Sequence, residues 1–326
     1  MTSTCALVTG ANGFVGRALV ERLVASRQQT VVVAGRDAFK RLPQGVARGC
    51  TIDLSAVADW RANLENVDTI YHLAARVHVM RDKSRDPLAA FRRTNVAGTL
   101  ALARQAAEVG VRRVVFVSSI KVNGEHTEPG RPFHADDVAA PVDPYGVSKL
   151  EAEQGLRRLA DGTSLEVAIV RPPLVYGPGV KANFLRMMNW LDRGIPLPFG
   201  AIDNRRSLVA LDNLVDLLVA CGRHPGAAHQ TFLASDGEDL STASLLTRLG
   251  LALERPARLL RVPPAALNTI FGLLGQRDLA RRLCGSLQVD IVKAKVLLGW
   301  TPPIGVDEAL RLTVQPYIAA RNGAAS

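Results

Sequence analysis

Cys5-Ala6-Leu7-Val8-Thr9-Gly10-Ala11-Asn12-Gly13-Phe14-Val15-Gly16 reads as a buried strand that runs into a glycine-rich turn, with a helix predicted over 17–25. Gly10 permits a tight turn, Gly13 lets backbone approach a pyrophosphate, and Gly16 allows the helix to pack closely on the strand. An anion then rests on the helix N-terminus, where free N–H groups point at it. Asn12, Phe14 and Val15 complete this candidate dinucleotide-binding turn. Its spacing is Gly-x-x-Gly-x-x-Gly, preceded by Thr9, in place of the commoner Gly-x-Gly-x-x-Gly. Strand, turn and helix in this order predict an α/β fold built on a doubly wound parallel sheet.

The rest of the chain extends this unit. Buried strands are predicted over 30–34, up to Ile52-Asp53-Leu54, over 67–75, over 114–119 and over 166–170. A helix is predicted to open at Thr94, and the polar, proline-bearing loop 125–142 is long enough to suggest a functional flap. The second strand ends in Gly35-Arg36-Asp37. A guanidinium at Arg36 suits a 2′-phosphate, so the reading favours NADP(H) over NAD(H), whereas a one-residue shift would place the Asp37 carboxylate where NAD wants it. Asp53 is also readable as a plain helix cap. His72, inside a buried strand, is expected to be a satisfied core histidine without chemistry. Arg76 follows that strand at the edge where open parallel sheets meet their ligands.

A second decisive stretch is Tyr145-Gly146-Val147-Ser148-Lys149, which opens an amphipathic helix after Asp143-Pro144. Tyrosine and lysine four positions apart share one helical face. The lysine charge is expected to pull the phenol below its usual value of about 10, which makes Tyr145 a usable general acid and base.

Composition narrows the function classes. The chain has 326 residues, 48% of them hydrophobic, enough for a substantial core. It shows no basic leader before an apolar run and no run of roughly 18 apolar residues, so neither a signal peptide nor a membrane span is expected. Cys5, Cys50, Cys221 and Cys284 stand apart without C-x-x-C spacing. They read as reduced thiols of a cytoplasmic protein, not as disulfides or metal ligands. The net charge of +10 is dispersed in single arginines and pairs, and only 5% of residues are aromatic, which argues against a nucleic-acid platform and suits an anionic diphosphate substrate.

Thr-Gly-x-x-Gly-x-x-Gly with a later Tyr-x-x-x-Lys resembles the extended short-chain dehydrogenase/reductase family, in particular its nucleotide-sugar epimerases, dehydratases and reductases. The resemblance covers nearly the whole chain. It implies a dinucleotide-binding domain over 1–175, with a return segment near 205–235, and a mainly substrate-binding lobe over 176–326. It places Asp53-Leu54 and Leu73-Ala74-Ala75 against the cofactor and makes Asn95 a structural residue near the active site, where the residues alone read equally as a helix cap. Ser118-Ser119-Ile120-Lys121-Val122-Asn123-Gly124 aligns with the family's Ser-Ser-x-x-Val-Tyr-Gly, which assigns the catalytic hydroxyl to Ser119 beside Tyr145 and Lys149. Dehydratases carry Asp-Glu where this chain has Ile120-Lys121, so dehydration is not expected. Arg171-Pro172-Pro173-Leu174-Val175-Tyr176-Gly177 matches the passage between lobes. Arg76, Lys121, Asn183, Pro198 and Arg206 are the implied substrate contacts, with Arg206 on the diphosphate. Lys121 in the second position of that dehydratase pair, followed by Val122-Asn123-Gly124, resembles a subgroup of bacterial 4-keto reductases of O-antigen synthesis. The expected reaction is therefore reduction of a UDP-4-keto-6-deoxy-N-acetylhexosamine to UDP-QuiNAc or its 4-epimer, with a UDP-hexose 4-epimerase holding NAD as the alternative. A cofactor-sensing or RNA-binding protein on the same fold is the rival of another class. By analogy the resemblance also implies a homodimer through helices near 95–109 and 145–159.

Overall fold

β1 (Thr4–Thr9) lies between β2 (Gln29–Gly35) and β4 (Thr69–His72), paired in parallel with both. Covered on both faces, it is a continuous apolar run, and Ala6, Leu7 and Val8 are fully buried. In the computed structural model of the chain, the described residues are 4–35, 44–54, 58–77, 86–273, 275 and 283–323. Among them, β3 (Arg48–Thr51), β5 (Arg113–Val117), β6 (Glu166–Arg171) and β9 (Thr231–Leu233) complete a seven-stranded parallel sheet of order β3-β2-β1-β4-β5-β6-β9. The chain winds outward from β1 to β3, then crosses to β4, so the order reverses between β1 and β4. Ligands of open α/β sheets bind at the strand ends beside such a reversal.

Each face of the sheet has its own helices. Leu19, Val20 and Leu23 of α1 (Phe14–Ser26) pack with Leu214, Leu217 and Leu218 of α7 (Leu211–Arg223) on one side. On the other, Leu102 and Ala106 of α4 (Thr99–Glu108) and Ala152 and Leu156 of α5 (Pro144–Asp161) cover Val114, Phe116 and Ile169. A smaller sheet of order β10-β8-β7 joins β7 (Leu174–Tyr176), β8 (Arg206–Ala210) and β10 (Asp239–Leu240). Its core gathers Phe184, Met188 and Leu191 of α6 (Ala182–Asp192), Leu245 and Leu249 of α8 (Thr242–Ala252), and Leu310 and Val314 of the helix Val306–Gly323. Phe14 packs against this core and against that of the large sheet, so the glycine-rich turn sits at the seam.

Several sequence expectations shift. The first helix begins at Phe14, because Gly13 already has the extended backbone of an N-cap. The third strand ends at Thr51, and Asp53 and Leu54 follow it. The helix expected to open at Thr94 starts at Pro87 in α3 (Pro87–Phe91), capped by Asp86, and passes through a π-helical turn, Arg92–Gly98, before α4. Within the expected return segment, β8 belongs to the small sheet, while α7 and β9 come back to the large one. Leu197-Pro198-Phe199-Gly200 is a single bridge from Leu197 to Leu259 followed by a turn, not a strand.

The loop 125–142, expected as a flap, is instead a strap. Thr127 N–H donates to Ser286 O at 2.9 Å, Phe133 N–H to Gln288 O at 2.8 Å, and Asp290 N–H to Phe133 O at 2.9 Å. Leu287 N–H donates to Arg205 O and Ser207 N–H to Leu287 O, which pins the same C-terminal strip to β8. Backbone groups of 286–290 are thereby satisfied on both sides, and a flap would leave them without partners.

Candidate active site

The glycine-rich turn is built to leave room. Gly10 has φ +70°, and a Cβ there would stand 2.7 Å from Ala74 N, in the backbone following β4. At Gly16 a Cβ would stand 2.1 Å from Gly10 O. No side chain caps α1, so the N–H groups of its first turn remain for an anion. These features fit the diphosphate of a dinucleotide, with Asn12 and Gly13 exposed on the turn and Val15 half-buried behind it. Leu73, Ala74 and Ala75 lie half-buried opposite, held by Ala74 N–H donating to Thr9 Oγ1 at 3.2 Å. Asp53 is exposed, and the Leu54 carbonyl presses on Gly98, where a Cβ would stand 2.4 Å away. Arg36 and Asp37 lie outside the described residues.

His72 is a core residue, as expected. Its Nδ1 is 2.7 Å from Thr9 Oγ1 and its Nε2 is 2.8 Å from Thr99 Oγ1, so one hydroxyl satisfies each nitrogen of a neutral ring. Burial, aided by the Lys149 charge, pushes its pKa down to about 3.

Beyond β4, Asn95 acts as a clamp. Its Oδ1 accepts from Arg76 N–H at 2.8 Å, and its amide donates to Arg76 O and to Ser148 Oγ, both at 3.0 Å. It lies inside the π-helical turn, and it ties the β4 edge to α5 instead of capping a helix. The Arg76 guanidinium stands 5.6 Å above the Phe91 ring, and Phe91 meets the Tyr145 ring edge-on at 5.9 Å.

The segments that carry Ser119, Tyr145 and Lys149 meet because α5 is stitched to the end of β5. Asp143 Oδ1 caps the helix at Gly146 N–H, 2.7 Å away, and Pro144 takes a first-turn position that needs no donor. One turn on, the Lys149 ammonium donates to Val117 O at 2.8 Å and stands 4.4 Å from the Phe116 ring centroid. Ser119 follows two residues later and caps the short 3₁₀ turn Ile120–Val122, its Oγ accepting from Lys121 N–H at 3.3 Å. That turn lies against α5, since a Cβ on Gly146 would stand 2.9 Å from Lys121 O.

The electrostatics correct the sequence reading. Burial holds the Lys149 ammonium down to about 7, with Glu153 opposing. Tyr145 is raised to about 12 by burial and by the Asp143 carboxylate. A lysine whose contacts are a carbonyl and a ring, and whose charge is itself weakened, does not depress the phenol in the protein alone.

Sequence reasoning missed a buried network one turn further along α5. Glu153, fully buried, accepts from Ser118 Oγ at 2.6 Å and from Arg171 Nε and Nη2 at 2.9 and 2.6 Å. Arg171 Nη1 also donates to Asn123 Oδ1 at 2.9 Å, and the Asn123 amide donates to His134 O in the strap. The departure from the family pattern at Asn123 therefore has a structural use. The available signal was Glu153 itself, which shares an otherwise apolar helical face with Lys149, Ala152 and Leu156.

The remaining candidates divide. Lys121, expected on substrate, instead pairs with Asp143 Oδ2 and, at 3.2 Å, with Glu125 Oε1. Asn183 is exposed in the first turn of α6, Pro198 is half-buried after the Leu197 bridge, and Arg206 Nη1 donates to Gly285 O at 2.9 Å. All three belong to the side of the small sheet, across the seam from the triad. Among the described residues no group of histidine, cysteine and carboxylate side chains could hold a metal, and no helix is long and apolar enough to cross a membrane.

Residues 6–233 match the NAD dependent epimerase/dehydratase family. A UDP-glucose 4-epimerase of Vibrio cholerae is 47% identical over 317 residues, covering 97% of this chain and 96% of that protein. The crystal structure of a UDP-glucose 4-epimerase of Thermotoga maritima with UDP-glucose superposes with a TM-score of 0.79 at 22% identity, over 98% of this chain and 100% of that one. MoeE5 in complex with UDP-glucose and NAD does so at 0.75 and 26% identity, over 98% and 99%.

Proposed function

The chain belongs to the NAD dependent epimerase/dehydratase family of extended short-chain dehydrogenases/reductases, and on that premise we propose that this nucleotide-sugar enzyme is a UDP-hexose 4-epimerase using NAD. The 47% identity to the Vibrio cholerae UDP-glucose 4-epimerase, over almost the full length of both proteins, carries the reading. The NAD in the MoeE5 complex supports the cofactor. The turn at Gly10, Gly13 and Gly16 holds the dinucleotide diphosphate, and Leu54, Leu73, Ala74 and Ala75 flank it. The lobe around the small sheet takes the UDP-sugar, with Asn183, Pro198 and Arg206 as candidate contacts and Arg76 reaching in from the β4 edge.

Bound NAD supplies the hydride acceptor and donor for the sugar C4. As the phenolate, Tyr145 Oη takes the proton of the 4-hydroxyl and becomes the phenol, and it returns that proton to the same oxygen after the sugar has turned over. Ser119 Oγ hydrogen-bonds that oxygen and fixes its place. Lys149, with a pKa of about 7, carries its proton part of the time at neutral pH and offsets charge that develops on the phenol.

Net reduction of a 4-ketone uses the same three residues, and the sequence favoured it on Arg36 and on the lysine at 121. Lys121 is engaged with two carboxylates, and the 47% identity to an epimerase weighs more than the resemblance at that slot. The test is direct: purified protein is incubated with UDP-galactose and no reductant, and UDP-glucose is measured with a coupled dehydrogenase. Interconversion without net cofactor turnover is expected. Stoichiometric oxidation of NAD(P)H with a UDP-4-keto sugar, and no interconversion, would replace the epimerase with the reductase.

A further inference from the structure

Beside the triad sits a set of charges that the reaction as derived does not use. Asp143 divides its two carboxylate oxygens between jobs: Oδ1 accepts from Gly146 N–H at 2.7 Å, in the helical turn that carries Tyr145, and Oδ2 takes the Lys121 ammonium. Lys121 also reaches Glu125 Oε1 at 3.2 Å and is about two-thirds buried. The Lys121 backbone presses on the same turn, where a Cβ on Gly146 would stand 2.9 Å from its carbonyl. The strap closes the unit, with Ala140 N–H donating to Val122 O at 3.0 Å.

We propose that Lys121 and Asp143 form a positioning pair for Tyr145, in which Asp143 holds the helical turn and Lys121 masks the negative charge that Asp143 brings beside the phenol. This rests on Tyr145 being the acid–base group. The charged groups around that turn are Asp143 at its cap, Lys149 one turn along, Lys121 on the packed 3₁₀ turn with Glu125 just after it, and Arg76 beyond the Phe91 ring. Of these, Asp143 is the carboxylate that raises the phenol, after burial. An uncompensated carboxylate there would hold Tyr145 protonated more firmly, whereas the lysine keeps the site close to neutral. The slot two positions after Ser119 thus carries a charge that acts through Asp143 and not on substrate.

Two readouts test the pair. One is the pH profile of kcat for UDP-galactose epimerisation. The other is absorbance titration at the tyrosinate band, with Tyr145→Phe as the blank; the chain has only four tyrosines, so the difference isolates one. Lys121→Met is expected to move the Tyr145 titration and the acid limb of kcat upward by about half a pH unit, a roughly threefold lower rate at fixed pH on that limb. Lys121→Arg keeps the charge and is expected to restore the wild-type profile. Asp143→Asn retains a helix cap and is expected to move both readouts downward. A higher KM for Lys121→Met with neither readout moved would make Lys121 a substrate contact and overturn the proposal. So would Lys121→Met and Lys121→Arg behaving alike, or an upward shift in Asp143→Asn. If Lys121→Met fails to fold, the opposed predictions for Lys121→Arg and Asp143→Asn still decide. Full activity in Tyr145→Phe would instead remove the triad assignment, an outcome separable from all of these.

Discussion

Replacing Glu153 by glutamine probes the junction on which the site is hung. Glutamine keeps the volume but removes the charge, and its amide N–H₂ must face an Arg171 N–H in either orientation, with Ser118 Oγ also at the Oε1 position or Arg157 also at the Oε2 position. Arg171 is buried, 3% exposed, and would keep only the neutral oxygens of Asn123 and Ala135 beside one amide carbonyl. Removing one partner of a buried ion pair costs about 3–5 kcal/mol, and the surviving acceptors put this case near 3. With a urea dependence of about 3 kcal/mol per molar, the unfolding midpoint should fall by about 1 M. Tryptophan fluorescence in a urea series reads it out. The double variant Glu153→Leu/Arg171→Met should lose less than Glu153→Leu alone, because no buried charge is left stranded; Arg157, which also donates to Glu153 Oε2 at 3.2 Å, is 42% exposed and keeps Thr231. A midpoint for Glu153→Gln within about 0.3 M of wild type would refute the view that this pair is closed to water.

Other outcomes follow from the same structure. Tyr145→Phe should lower turnover by about 10²–10⁴ while dinucleotide binding, followed by fluorescence, is retained. Gly16→Ala meets only backbone, at 2.1 Å from Gly10 O, and should weaken dinucleotide binding at least about tenfold, without loss of the helical circular dichroism signal. His72 titrates near 3 when folded and near 6.5 when unfolded, so between those values the unfolded chain binds the extra proton. Stability should therefore fall as pH drops through that window, by up to about 1.4 kcal/mol per unit, and His72→Gln should flatten the dependence of the urea midpoint. Asn95→Ala strands the Arg76 amide and should cost about 1–3 kcal/mol by the same assay.

Local signals carried most of what the sequence made legible. The glycine spacing placed the turn because Gly10 and Gly16 answer to neighbours in their own strand–turn–helix unit and to the next strand of the sheet. The family resemblance singled out Ser119 at the end of an apolar strand, and helical spacing put Tyr145 and Lys149 on one face of a helix. What stayed hidden depends on partners far along the chain. Asn95 looks like a cap until Arg76 and Ser148 are brought beside it, and Lys121 looks like a substrate cation until the helix cap at Asp143 arrives. The loop 125–142 looked free because the residues that bind it lie more than 140 positions later. The phenol was misjudged for a related reason: proximity in sequence gives the lysine charge, but only the packed structure shows its burial.

That strap has a consequence for the order in which the protein matures. All seven parallel strands are complete by Leu233, yet the acceptors for Thr127 and Phe133 are the carbonyls of Ser286 and Gln288. A nascent chain that has released only its first 250 or so residues carries every strand of the large sheet but lacks Ile291, Ala294 and Trp300 of its core and the carbonyls that fasten the strap. C-terminal truncations that keep all seven strands are therefore expected to lose both the fastening of 125–142 and part of the packing on the α7 side of the sheet, so the last segment made is the one that joins the two.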